Sequence, residues 1–122
     1  MIDQKRIQNT KNELLLFLLE AKKNGKKVIG YGAAAKGNTL LNYAGVRKDL
    51  LECIVDQSVA KIGKYSPGAR IPIVDFGAIE LIKPDFILIL PWNLKDEILP
   101  SLEFTRNWGC KMVTAIPSIK IF

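Results

Sequence analysis

Histidine is missing from the sequence altogether, and cysteine appears only twice in 122 residues. The first absence removes the side chain that most often moves protons near neutral pH, and with it the commonest imidazole ligand for zinc. The second leaves no pair of thiols at short spacing, so no metal site is expected. Cys53 and Cys110 each sit in an apolar stretch and read as buried thiols. No nucleophile–base pair is recognisable. No apolar run approaches the roughly 20 residues that cross a bilayer. The opening Met-Ile-Asp-Gln-Lys-Arg lacks the pattern of a signal peptide. The expected setting is therefore the cytoplasm, with no membrane partner.

What remains is ordinary for a globular chain: 48% apolar and 25% charged residues, with a formal net charge of +6. One domain spanning 1–122 is expected at this length. The basic excess is uneven, because residues 1–27 hold seven Lys/Arg against three Asp/Glu. That excess reads as a solvated helix face. Nucleic-acid binding would call for basic residues interleaved with exposed aromatics, and none are seen, so no nucleic-acid partner is expected.

Residues 3–24 read as a helix with Leu14, Leu18 and Ala21 on one face, stopped at Asn24-Gly25. Its run Leu14 to Leu19 is apolar throughout, wider than a one-sided surface helix needs, which suggests cover by a second domain or subunit. Strands are expected at Lys27–Tyr31, Leu50–Val55, Ile71–Val74, Asp85–Leu90 and Lys111–Ile116, with an edge piece at 119–122. Helices are expected at about 34–43, ended by Gly45, and at about 75–82, capped by Asp75. A third starts after Asn93, which caps it, and is kinked or split by Pro100. Residues 57–70 read as a loop, and Pro72 places its strand at an edge. Alternation of this kind predicts an α/β, Rossmann-like, three-layer fold. Its mostly parallel sheet of about five strands carries helices on both faces and follows an N-terminal helix.

The strand at 27–31 runs directly into Gly30-x-Gly32-x-x-Ala35 and then Lys36-Gly37. A tight turn at Gly30, close approach at Gly32 and helix packing at Ala35 are the layout of a phosphate-cradling turn. The helix behind it points free N–H groups at the ligand, and Lys36 adds a charge. Asp56 ends the second strand, where a carboxylate can hold ribose hydroxyls. Trp92 and Asn93 end the fourth strand, and the loop with Lys61, Lys64 and Tyr65 is placed to close over the same edge. Three readings follow from these residues: a nucleotide-type ligand site, a stand-alone NAD- or coenzyme-A-binding module, or an interaction domain whose turn serves packing alone.

The block Gly30-Tyr31-Gly32-Ala33-Ala34-Ala35-Lys36-Gly37-Asn38-Thr39-Leu40-Leu41-Asn42 resembles the C-terminal domain of S-adenosylmethionine-dependent nucleotide-sugar C-methyltransferases. So do Val55-Asp56, Lys61 to Gly68, Ile71-Pro72-Ile73 and Ile89-Leu90-Pro91-Trp92-Asn93-Leu94. Pro100 and Cys110 depart from the pattern. The resemblance implies a Rossmann-like domain that helps hold a nucleotide-diphosphate sugar, such as a thymidine-diphosphate deoxysugar. It also implies a central domain that binds S-adenosylmethionine and carries the catalytic residues, neither of which is read in this chain. The implied substrate-binding residues are Gly30, Gly32, Ala33, Ala34, Lys36, Gly37, Asn38, Asp56, Tyr65, Trp92 and Asn93. The implied partner is a methyltransferase domain or subunit on the N-terminal helix, and no cofactor is expected on this chain itself.

Overall fold

The computed structural model describes residues 4–122. Helix α1 spans Gln4–Lys23, and the expected first residue, Asp3, lies outside the described residues. Leu14, Leu18 and Ala21 are buried at the spacing of one helix face, and Lys22 and Lys23 favour the negative end of the helix dipole. Phe17 meets Phe86 edge-on at 5.1 Å and so ties α1 to the sheet. No helix among the described residues is long and apolar enough to cross a membrane.

Six strands form one sheet. They are β1 (Val28–Tyr31), β2 (Ile54–Val55), β3 (Ile73–Val74), β4 (Phe86–Ile89), β5 (Lys111–Thr114) and β6 (Lys120–Ile121). Their order across the sheet is β3-β2-β1-β4-β5-β6. All pairs are parallel except β5 with β6. The chain therefore winds outward from β1 in one direction, returns, and winds outward in the other. The fold is the expected Rossmann-like α/β arrangement, with the 119–122 piece supplying the sixth, antiparallel strand.

Alternating residues along each strand feed two separate cores. Val28, Ile54, Leu88 and Val113 pack with Leu14, Leu18 and Leu41 beneath α1 and α2 (Ala35–Ala44). Ile29, Val55, Ile87 and Met112 pack with Ile79 and Leu102 on the opposite face, beneath α3 (Ala78–Ile82) and the segment after β4. Burial on both faces is why these strands read as continuous apolar runs.

Several boundaries differ from the sequence reading. The strand expected at Leu50–Val55 is confined to Ile54–Val55. Leu50 and Leu51 close a turn on the carbonyl of Arg47, at 3.0 Å each, and Leu51 is buried by packing rather than by pairing. Asp75 does not cap with its side chain. α3 begins at Ala78 behind Gly77, and it is the Asp75 carbonyl that accepts the Ala78 N–H. Asn93 is not a cap either, because it sits inside a 3-10 turn, Trp92–Leu94. Helix α4 (Lys95–Ile98) starts behind Leu94 without a side-chain cap.

Pro100 splits the helix as expected, and beyond α4 the chain continues as a 3-10 helix over Leu99–Trp108. Three residues per turn bring Leu102, Thr105 and Trp108 to one side. Leu102 and Thr105 are fully buried there, and the Trp108 indole N–H donates to the Pro84 carbonyl at 2.8 Å.

The 57–70 loop is more ordered than a plain connection. Gly63 N–H donates to Ile73 O at 2.9 Å, Ile73 N–H to Lys64 O at 2.8 Å, and Ser66 N–H to Ile71 O at 2.9 Å. Residues 63–66 thus run antiparallel along the outer edge of β3. The inner edge of that strand is completed by the Pro72 carbonyl, which accepts Ile54 N–H at 2.9 Å. Pro72 sits at the border, where its missing donor costs least.

Candidate functional site

β1 leaves the sheet at Gly32, which has φ 86°. A β-carbon there would stand 2.7 Å from Pro91 Cδ. Gly32 is therefore required twice, by its left-handed backbone and by the proline at the end of β4. Proline, not open space, faces the turn on that side. The close approach of helix to strand falls at Gly37, where a β-carbon would lie 2.6 Å from Leu90 Cβ. This lets α2 settle directly on the end of β4, a role that the sequence spacing gave to Ala35.

Two hydrogen bonds brace the turn from behind. Asp56 Oδ2 accepts the Ala33 N–H at 2.8 Å, and Asp56 Oδ1 accepts the Ser58 N–H at 2.7 Å. Lys61 Nζ donates to the Ala33 carbonyl at 2.9 Å. Both polar groups of Ala33 are thus held, the N–H by Asp56 at the end of the second strand and the carbonyl by the 57–70 loop. Further along, Asn42 Nδ2 donates to Pro67 O at 3.0 Å, which fixes the end of the loop to α2.

Between α2 and this loop lies a cleft of about 670 Å³. Its walls are Ala33, Ala34, Ala35, Asn38 and Thr39 on one side and Ala60, Lys61, Lys64, Tyr65, Ser66 and Pro67 on the other. Ile54, Ile73 and Leu90 form an apolar floor. The size suits a small organic ligand, and so does the mixture of apolar floor and few polar groups.

The charged groups have one sign. Helix α2 carries no acidic residue in its first turn and no side-chain cap at Ala34. Asn38 N–H is the first in the helix to find a carbonyl, that of Ala34 at 2.9 Å. The N–H groups of Ala35, Lys36 and Gly37 have no acceptor among the described residues. An uncapped N-terminus carries about half a positive charge. Lys36, Lys61 and Lys64 form no ion pair among the described residues. Asn38 Oδ1 is buried on the cleft wall without a hydrogen-bond partner. Such an orphan in a folded protein calls for a ligand or a water.

Of the residues singled out from the sequence, Ala33, Ala34, Ala35, Asn38, Lys61, Lys64 and Tyr65 line this cleft. Gly30, Gly32, Gly37 and Asp56 lie behind its wall, where they set the path of the turn and the helix. Lys36 is exposed on the first turn of α2, outside the lining. Trp92 is half-buried and Asn93 exposed in their 3-10 turn, and neither lines the cleft. Thr39, Ser66 and Pro67 line it without having been singled out. Ser66 is buried and its Oγ accepts the Ile71 N–H at 3.0 Å. The Ser-Pro-Gly sequence was the available signal, since such a triplet marks a built turn rather than free chain.

Neither thiol belongs to the site. Burial, with a smaller contribution from the neighbouring Glu52 charge, pushes the Cys53 thiol up to about 12. Burial also raises that of Cys110. Both stay protonated and unreactive at neutral pH.

Comparison with known proteins places the chain in a family. The sequence profile described as the C-methyltransferase C-terminal domain matches residues 4–117. Over 99 residues the chain is 37% identical to C-methyltransferase NovU of Streptomyces niveus, a stretch covering 80% of this chain and 23% of that protein. The chain thus spans about a quarter of the length of the curated relative it matches.

Proposed function

The chain belongs to the family of C-methyltransferase C-terminal domains, and from that premise we propose that its cleft holds the diphosphate portion of a nucleotide-linked deoxysugar. Methyl transfer belongs to a domain outside these 122 residues, which binds S-adenosylmethionine. The observation that carries the reading is the uncapped first turn of α2 opening on a cleft whose only charged walls are lysines. Backbone N–H groups of that kind bind phosphate oxygens, and the helix dipole adds to the attraction. The apolar floor formed by Ile54, Ile73 and Leu90 suits the methyl-bearing face of a deoxysugar or a pyrimidine. In this reading the chain binds and orients substrate, and no proton is moved by its own side chains.

The rival nicotinamide reading relies on Asp56 for ribose hydroxyls. Both oxygens of that carboxylate already accept backbone N–H groups at 2.8 and 2.7 Å, which favours a bracing role. The outer face of α1, where Leu16 is 68% and Leu19 52% exposed, is assigned to the methyltransferase domain.

Calorimetric titration of the folded chain with thymidine-diphosphate sugars tests the proposal, with NADH fluorescence as the parallel measurement. Binding of the sugar nucleotides and none of NADH is expected. Folded protein that takes up no sugar nucleotide at roughly millimolar concentration, the weak end of the affinity scale, refutes it.

A further inference from the structure

A lysine in a folded protein usually points its charge at a carboxylate or at water. Lys61 does neither. It has no acidic partner among the described residues, and its ammonium is set on the carbonyl of Ala33. That carbonyl belongs to the turn leading into α2, so a full positive charge stands beside a helix end that is itself positive. Asp56, on the N–H of the same residue, is the nearest relief, and both its oxygens accept backbone N–H groups. Lys61 is exposed and lines the cleft, and the lysine head group has two further N–H donors. An ammonium is drawn more strongly to an ionised oxygen than to a neutral carbonyl, because attraction between two full charges is added. The ammonium of Lys61, the second lysine Lys64 and the free N–H groups opening α2 thus share one cleft.

Resting on the reading that the cleft takes a diphosphate, we propose that Lys61 is its anion-reading residue. On binding, the ammonium passes from the Ala33 carbonyl to a phosphate oxygen held at the opening of α2, where Ala34 and Ala35 line the cleft. The exchange replaces a neutral acceptor with a charged one and draws residues 57–62 toward the ligand. Residues 63–66 stay in place, because they are hydrogen-bonded along β3. The cleft then senses the number of phosphates through Lys61 and the attached nucleoside through its floor.

The test uses the 122-residue chain, with backbone amide shifts followed during titration with pyrophosphate, thymidine, thymidine monophosphate and thymidine diphosphate. Lys61→Met is expected to weaken pyrophosphate and thymidine diphosphate about tenfold, the usual effect of losing a hydrogen bond to a charged group. Thymidine affinity is expected to stay unchanged, and Lys61→Arg to restore most of the loss. Lys48→Met removes the same charge at the opposite end of the sheet, beside a separate hollow, and controls for long-range attraction. Matching spectra of the variants away from the cleft show that the fold is kept.

If Lys61→Met behaves like Lys48→Met, or weakens thymidine as much as its diphosphate, the inference is overturned and the nucleotide reading stands. If wild type binds pyrophosphate through Lys61 but thymidine diphosphate no more tightly, the nucleotide reading fails and Lys61 keeps its role. If wild type does not bind pyrophosphate at all, the inference is overturned.

Discussion

Replacing Gly37 by alanine separates two effects that oppose each other. Within a helix, alanine is preferred over glycine by about 1 kcal/mol, so on propensity alone the change should stabilise α2. The structure predicts the reverse. The new methyl would stand 2.6 Å from Leu90 Cβ, 3.2 Å from Leu90 O and 3.3 Å from Leu90 Cα. None of these is the free end of a flexible side chain, so relief requires α2 to lift away from β4. Overpacking of this kind costs typically about 1–3 kcal/mol, and atoms borne on the main chain put it at the upper end. After the propensity gain, a net loss of about 2 kcal/mol remains, which lowers the melting temperature of a chain this size by about 8 °C. Thermal unfolding followed by circular dichroism measures it. Lys36→Ala, one residue earlier and exposed, serves as the control and should stay within about 0.5 kcal/mol of wild type. A Gly37→Ala protein that melts at or above the wild-type temperature would refute the close-contact reasoning. The explanation for the glycine at that position would fall with it.

Other perturbations probe separate parts of the fold. Asp56→Asn exchanges one accepting oxygen for a donor facing a backbone N–H, and should cost about 1–3 kcal/mol in urea unfolding; an unchanged midpoint would mean that the brace on Ala33 and Ser58 is unimportant. Leu18→Ala, at a fully buried position, is expected to cost about 2–5 kcal/mol, while Leu16→Ala, at a position 68% exposed, costs less than about 0.5 kcal/mol. Neither thiol should react with a disulfide reagent at pH 8 until the chain is unfolded, when both should react. Folding raises the proton affinity of both thiols, so their contribution to stability is complete below the unfolded thiol value of about 8.5. That contribution falls as pH climbs from there toward about 12 for Cys53, and the urea midpoint should decline accordingly in alkaline buffer.

The parts of this fold that were legible in the sequence are those written in backbone restrictions. Gly25 and Gly45 end their helices with φ of 69° and 73°, Pro72 marks a border strand, and Pro100 breaks a helix. None of these depends on distant residues. Apolar runs were a poorer guide to boundaries, because apolarity reports burial and not pairing. Leu51 is as buried as any strand residue while sitting in a turn. Capping was misjudged at Asp75 and Asn93 because a residue type suited to a cap says nothing about where the first helical turn starts. At the site, the turn, its helix and the Lys61, Lys64 and Tyr65 part of the facing wall are legible, but the rest of that wall is not. Ser66, Pro67 and Thr39 come together only through the antiparallel pairing of 63–66 with β3 and the Asn42 hydrogen bond to Pro67. Both contacts link segments whose sequence spacing carries no periodic signal.

The antiparallel run of residues 63–66 has one more consequence. A bare parallel sheet would offer the outer backbone of β3 to any extended chain in solution, and exposed borders of that kind seed aggregation. Here the same few residues that wall the cleft also shield that border. Substitutions in this stretch that loosen the wall should therefore reduce solubility as well. Few changes in this stretch should be tolerated, despite its surface position.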